Sequence, residues 1–128
     1  MTPEQRQRLN NAMDNIQAAR LLAESGFFDI AVSRAYYAML YSAEALLLIH
    51  GLRLTQHEAV SASFEAEFAT VPSLVCYHPY LADGYRARIV ADYSPLVKST
   101  LPEAACQINH AQTFFETAES YLQQLAQP

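Results

Sequence analysis

The chain has 128 residues and a mass of 14.3 kDa, one domain's worth of polypeptide, long enough to bury a core without a disulfide or a structural metal. Hydrophobic residues make up 52% of it, which excludes wholesale disorder, and 8 basic against 13 acidic side chains leave a net charge of −5, which argues against coating duplex nucleic acid by bulk charge. The three glycines, Gly26, Gly51 and Gly84, are too few for a Gly-rich phosphate loop or a turn-rich β-sandwich.

In chain order the pattern is helical throughout. The first predicted helix runs from Pro3 to Ser25. Thr2 and Gln5 have the spacing of a capping box, Pro3 suits the first helical position, and Gly26 is a stop. Leu9, Met13, Ile16, Ala19 and Ala23 keep a spacing of three and four, one apolar stripe. The second helix opens near Asp29 and ends at Gly51. Its stretch from Ala35 to Ile49 is apolar on nearly every side, so it is expected to be the central helix. Bounded by Arg34 and broken by Glu44, that stretch falls short of the ~20 apolar residues of a membrane span.

The third helix is expected to start after Thr55, with Thr55 and Glu58 as a second capping box, and to fade near Thr70. A connector from Val71 to His78 follows, bracketed by Pro72 and Pro79. The fourth helix carries Tyr85 to Tyr93 and stops before Pro95. Gly84 weakens a helix, and Asp83 is a candidate cap. The fifth runs from Pro102 to Leu125 behind a third box at Thr100 and Glu103, and a short, frayed tail follows. Ala104, Ile108, Ala111, Phe115, Ala118, Leu122 and Leu125 form a heptad seam. The expected fold is all-α, an up-and-down bundle of four to five helices forming a single domain over 1–128.

Much chemistry is excluded. No Gly-x-x-x-x-Gly-Lys, Gly-x-Gly-x-x-Gly or Gly-x-Ser-x-Gly occurs. His57-Glu58 begins like a zinc-protease helix, but Ser61 stands where the second histidine belongs. His50, His57, His78 and His110 are scattered, and no Glu-x-x-His pair exists, so no metal site is expected and no cofactor is implied. Cys76 and Cys106 form no Cys-x-x-Cys pair and read as reduced thiols. The N-terminus has no apolar signal core, so the expected location is cytoplasmic.

Two clusters remain. On helix two, Ser33-Arg34-Ala35-Tyr36-Tyr37-Ala38-Met39-Leu40-Tyr41 sets an arginine and three tyrosines in an apolar helix. Its bland reading is a buried polar network of Arg34, Tyr36, Tyr37 and Tyr41, with Glu44, Asp92 or a tyrosine hydroxyl as the partner of Arg34. Its functional reading is the floor of a polar pocket. On helix four, Arg86-Ala87-Arg88-Ile89-Val90-Ala91-Asp92-Tyr93 puts Arg88 and Asp92 on one face, with Arg86 about 120° from Asp92. Its bland reading is a surface ion pair. Its functional reading is a guanidinium that grips a phosphate, near Ser94 and Lys98 in the following loop, with Asp92 orienting it. Tyr93 lies about 140° around from Arg88, so it reaches the same cleft only at the edge or across a dimer axis.

Together, Ser-Arg-Ala-Tyr-Tyr-Ala-Met at 33–39 and Arg88-x-x-x-Asp92-Tyr93 resemble the HEPN domains (higher eukaryotes and prokaryotes nucleotide-binding), in their small stand-alone bacterial and archaeal branch. The resemblance covers essentially the whole chain. Leu21-Leu22 before Gly26, and His57, also sit where that branch tends to have them. It implies an α-helical bundle that forms a homodimer across its later helices. It also implies pairing with a minimal nucleotidyltransferase in a toxin–antitoxin-like module. Many members are metal-independent RNases with Arg-x(4–6)-His. Here the motif lacks its histidine, and Tyr93 stands five residues after Arg88. Arg53 and His57 are one residue too close and on another segment.

The leading expectation is therefore a nucleotide- or RNA-binding protein, with Arg88, Tyr93, Arg86 and Arg34 as binding candidates. An RNase using Arg88, Asp92 and Tyr93 at a dimer cleft is the first alternative. A pure protein-interaction module is the second. Phe114 beside the seam residue Phe115 suggests apolar surface for a second copy to cover.

Overall fold

A computed structural model describes residues 1–127. It has five α-helices, α1 (Pro3–Glu24), α2 (Phe28–Leu47), α3 (His57–Phe68), α4 (Tyr77–Tyr93) and α5 (Leu101–Ala126), with a 3-10 turn at Leu48–His50 and no strand among the described residues. The helix α2 packs against all four others, which explains why its sequence is apolar on nearly every side.

Local chemistry sets several helix ends. The Thr2 hydroxyl accepts from the Gln5 N–H at 3.1 Å and the Gln5 side chain accepts from the Thr2 N–H at 2.9 Å, a complete capping box with Pro3 just inside it. At the other end Gly26 turns left-handed at φ 84°, and the Phe27 N–H reaches back to the Leu22 carbonyl at 2.8 Å. This Schellman turn reverses the chain and lays α2 back along α1. Gly51 does the same after the 3-10 turn, at φ 72°.

The other two boxes differ from expectation. Gln56, not Thr55, is the cap of α3 and makes no side-chain cap bond, so Thr55 stands one residue too early for its hydroxyl to meet the third N–H. At α5 the Thr100 hydroxyl accepts from the Glu103 N–H at 3.4 Å. The Glu103 carboxylate accepts a hydrogen bond from that hydroxyl at 2.9 Å, and the box is half made.

Helix four carries Tyr85 to Tyr93 as expected, and its start, which the sequence leaves open, is at Tyr77, inside the expected Val71 to His78 connector. Pro79 falls in its first turn, where no intrahelical acceptor awaits the N–H that proline lacks. Asp83 is mid-helix and caps nothing. Gly84 is tolerated there because α4 crosses α2 closely. A Cβ at Gly84 would collide with Met39 Cε and lie 3.4 Å from Tyr36.

On α5 the seam residues Ala104, Ile108, Ala111, Phe115, Ala118 and Leu122 are buried, whereas Leu125 is exposed. The helix continues to Ala126; Pro128 of the expected tail lies outside the described residues. Phe114 is fully enclosed within one copy of the chain. Its ring stacks on Tyr77 with centroids 4.7 Å apart and meets Phe64 edge-on at 5.6 Å. The apolar surface expected at Phe114 and Phe115 is thus already covered, because α4 starts early enough to bring Tyr77 over it. No helix among the described residues is long and apolar enough to cross a membrane.

Candidate functional site

The helix α2 presents Tyr36 and Tyr37 on successive positions, and the two rings meet edge-on at 5.4 Å. The helix α4, held close by Gly84, brings Arg88 over them, with Cζ 6.0 Å from the Tyr36 centroid and 5.2 Å from that of Tyr37. The start of α3 adds His57. Its Nδ1 lies 2.6 Å from the Tyr36 hydroxyl, and its ring lies flat on Tyr85 at 3.6 Å. Tyr36, Tyr37, Leu40, Thr55, Gln56, His57, Glu58, Tyr85 and Arg88 line one cleft of about 360 Å³.

The central charge is Arg88. Its side chain is 18% exposed, and its Nε lies 3.3 Å from Asp92 Oδ2. That N–H is not aimed at the carboxylate, and Nε is buried without an aligned hydrogen bond. Asp92 Oδ2 also accepts from the Ser33 hydroxyl at 3.4 Å. The pair is therefore only half a surface contact: Arg88 is largely buried, whereas Asp92 is exposed. The carboxylate fixes the position of the guanidinium while leaving its donors largely unspent, and the phenol faces beneath stabilise the charge.

The neighbouring titratable groups respond to this burial. Enclosure pushes the Tyr36 phenol well above its usual range, with Arg88 opposing the shift. Burial lowers the basicity of His57. Glu58 pulls it back up, and Arg88 and His78 add to the lowering. Both groups are thus neutral near pH 7.

The other sequence candidates go elsewhere. Arg34 is half-buried. It donates to the Asn15 side chain at 3.1 Å and lies over the ring of Tyr37, one turn on along α2, at 4.7 Å, so its partner is none of Glu44, Asp92 or a tyrosine hydroxyl. Glu44 pairs with Arg8 at 3.1 Å instead. The expected single network of Arg34, Tyr36, Tyr37 and Tyr41 is split: Tyr36 bonds to His57, Tyr37 supports both arginines, and Tyr41 packs at the edge of the core. Arg86 is exposed, pairs with Asp83 at 3.2 Å, and lines a different groove. Tyr93 is 69% exposed at the end of α4 and does not line the Arg88 cleft. Lys98 lies 3.8 Å from Asp29, which accepts the Ser99 N–H at 2.8 Å, so that loop is tied to the start of α2. The Ser99 N–H holds the Asp29 carboxyl below the usual carboxylate range. Among the described residues no three His, Cys, Asp or Glu side chains form a group able to hold a metal.

Sequence reasoning left His57 and Tyr85 out of the site. His57 is a helix-opening residue on another element, and only tertiary packing sets it beside Arg88. The fixed interval of a linear motif offers no signal for that.

The HEPN domain family model matches residues 5–121. A Gloeobacter violaceus protein named "UPF0332 protein glr0978" is 37% identical over 127 residues, 97% of this chain and 100% of that one. Two Methanocaldococcus jannaschii proteins are also similar. "Putative toxin MJ0142" is 31% identical over 89% of this chain and 78% of its own length. "Putative toxin MJ0605" is 33% identical over 89% of this chain and 85% of its own length. With a match over nearly all of its helices, and a relative of its own length, the chain belongs to the HEPN family.

Proposed function

We propose that this HEPN protein is toxin-like in kind and binds a nucleotide or an RNA strand in the Arg88 cleft. One observation carries the reading. A four-fifths buried guanidinium lies on two phenol faces with no aligned hydrogen bond at Nε, in a cleft open to solvent. Such a charge is costly to bury, and a phosphate in the cleft would pair with the outer N–H groups of the guanidinium, Nε itself being closed off from solvent. The aromatic walls offer faces on which a base stacks. The relatives that carry toxin in their names support the toxin-like half. A minimal nucleotidyltransferase partner and a homodimer belong to the same reading, through the family resemblance. Titration with mono- and dinucleotides and a short RNA tests it: binding is expected, and Arg88→Ala is expected to abolish it.

A second reading, a metal-independent endoribonuclease, is favoured by His57. The histidine that the linear motif lacks stands in the Arg88 cleft, delivered by α3. RNA cleavage that survives a chelator and disappears in Arg88→Ala would favour it. If neither binding nor cleavage occurs, a pure protein-interaction module is the better account.

A further inference from the structure

We infer that the pocket between the end of α3 and the start of α4 is a second binding site, for a small organic monocation: an ammonium group on a short tether to one apolar ring. The site shares no lining residue with the Arg88 cleft and stands independently of the role proposed for it.

The lining sets the shape and the apolar part of the ligand. The pocket has a volume of about 270 Å³. The buried rings of Phe64 and Phe68 floor it, and the exposed Val75 and Pro79 wall it. A drug-sized ligand needs a pocket of at least about 300 Å³, so this space suits one ring and a short chain. Its polar side chains are Glu65 and His78. His78 Nε2 lies 3.4 Å from Glu65 Oε2 and 3.2 Å from the Ser61 hydroxyl, so α4 holds the carboxylate at the edge of the pocket. The Glu65 side chain is otherwise exposed, and a carboxylate engaged at one oxygen keeps further acceptor sites free.

The surroundings set the sign of the charge. From Leu54 to Tyr85 the chain has no lysine or arginine but four carboxylates, Glu58, Glu65, Glu67 and Asp83. Glu65 and Glu67 stand in the last turn of α3, which has no basic residue. That turn is the negative end of the helix dipole, where cations are favoured and carboxylates are not. His50 approaches Glu67 at 3.6 Å as His78 approaches Glu65, and among the described residues no lysine or arginine pairs with either acid. The end of α3 thus gathers two carboxylates and the dipole without a fixed positive charge, directly beside an apolar hollow. A ligand cation at Glu65 relieves that repulsion while its ring leaves water for the phenylalanine floor. An anionic ligand would add to the repulsion, and a neutral one would gain nothing from the rim.

Titration of the isotope-labelled intact protein, followed by amide chemical shifts at pH 7.5 and low salt, tests this with phenethylamine, ethylamine and phenylpropanoate. Phenethylamine is expected to bind with a Kd on the order of 1 mM, as suits a ligand of so few atoms, and to shift the amides of Glu65, Phe68, Ala69, Val75 and His78. Ethylamine lacks the ring and phenylpropanoate lacks the cation, and each is expected to bind several-fold more weakly. Glu65→Gln keeps the shape of the side chain without its charge, and is expected to weaken phenethylamine about threefold, the worth of an exposed ion pair. Val75→Ser, which removes an apolar wall, is expected to weaken it as well. Both positions are exposed, and thermal melting verifies that each variant is folded. Phenylpropanoate binding as tightly as phenethylamine, undiminished affinity in Glu65→Gln, shifts confined to the Arg88 cleft, or no saturable shift at millimolar concentration would each overturn the inference, and none of them bears on binding at Arg88.

Discussion

Arg8 and Glu44 show what burial does to a single charge. Glu44 is 5% exposed, and its carboxylate is held by Arg8 at 3.1 Å. Burial raises its pKa above the ordinary carboxylate value, and Arg8 restrains that rise. A carboxyl whose pKa is raised by folding binds its proton more readily folded than unfolded. Its charge therefore weighs against stability at neutral pH, and the cost falls as pH drops through the folded pKa toward 4.5. Arg8→Ala leaves the carboxylate alone and is expected to cost about 3 kcal/mol at pH 7, with the deficit shrinking as pH approaches 5. Urea unfolding at both pH values measures this; an equal deficit at the two would contradict it. His57 has the opposite acid behaviour. Its basicity is lowered by folding, so the stability of its neutral form is present above pH 6.5 and lost as pH falls below that value. The presence of these charges was legible in the sequence, but their pairing was not. Arg34 had three plausible acceptors and found a fourth, Asn15 on α1, because chain order does not say which face of α1 meets α2.

At the scale of the helix, ends with a complete local chemistry were readable and ends set by packing were not. The Thr2 box and the stop at Gly26 use groups within five residues of one another, so the sequence carries all the information. The start of α4 at Tyr77 depends on contacts with distant elements. Tyr77 stacks on Phe114, and its hydroxyl meets Thr117 at 2.8 Å, contacts that outweigh Pro79 and Gly84 as local breakers. The Thr55 box matched a pattern but missed the register by one residue. Stability measurements distinguish the two threonines. Thr2→Ala is expected to cost about 1 kcal/mol, and Thr55→Ala less than about 0.5 kcal/mol. Equal losses from both would show that Thr55 caps α3 after all. The same early start of α4 lengthens the helix that carries Tyr85 and Arg88, and so helps to fix the cleft.

For the molecule as a whole, the helical bundle was legible from apolar spacing alone, because five segments with one packing period admit few arrangements. The site was half legible. Tyr36 and Tyr37 stood out as tyrosines in a helix too apolar to hold them idly, and Arg88 through the face it shares with Asp92 and the family resemblance, while His57 and Tyr85 needed the folded chain. Burial of Phe114 within one copy removes the observation that pointed to a second copy on α5, so the proposed homodimer rests on the family resemblance and requires its own test. Light scattering at micromolar concentration is expected to give twice 14.3 kDa, and a value at 14.3 kDa would remove the dimer. The cleft is complete in one copy as far as Arg88, His57 and the tyrosines are concerned. Its ligand binding is therefore expected whichever mass is found.

The most direct measurement is a calorimetric titration of the intact protein and of Arg88→Ala with a short single-stranded RNA at two salt concentrations. The intact protein is expected to bind with a shallow salt dependence, since one guanidinium neutralises few phosphates, and Arg88→Ala is expected to bind nothing measurable while melting cooperatively. Binding that survives Arg88→Ala, or no binding by the intact protein, would contradict the assignment of the Arg88 cleft as the nucleotide site.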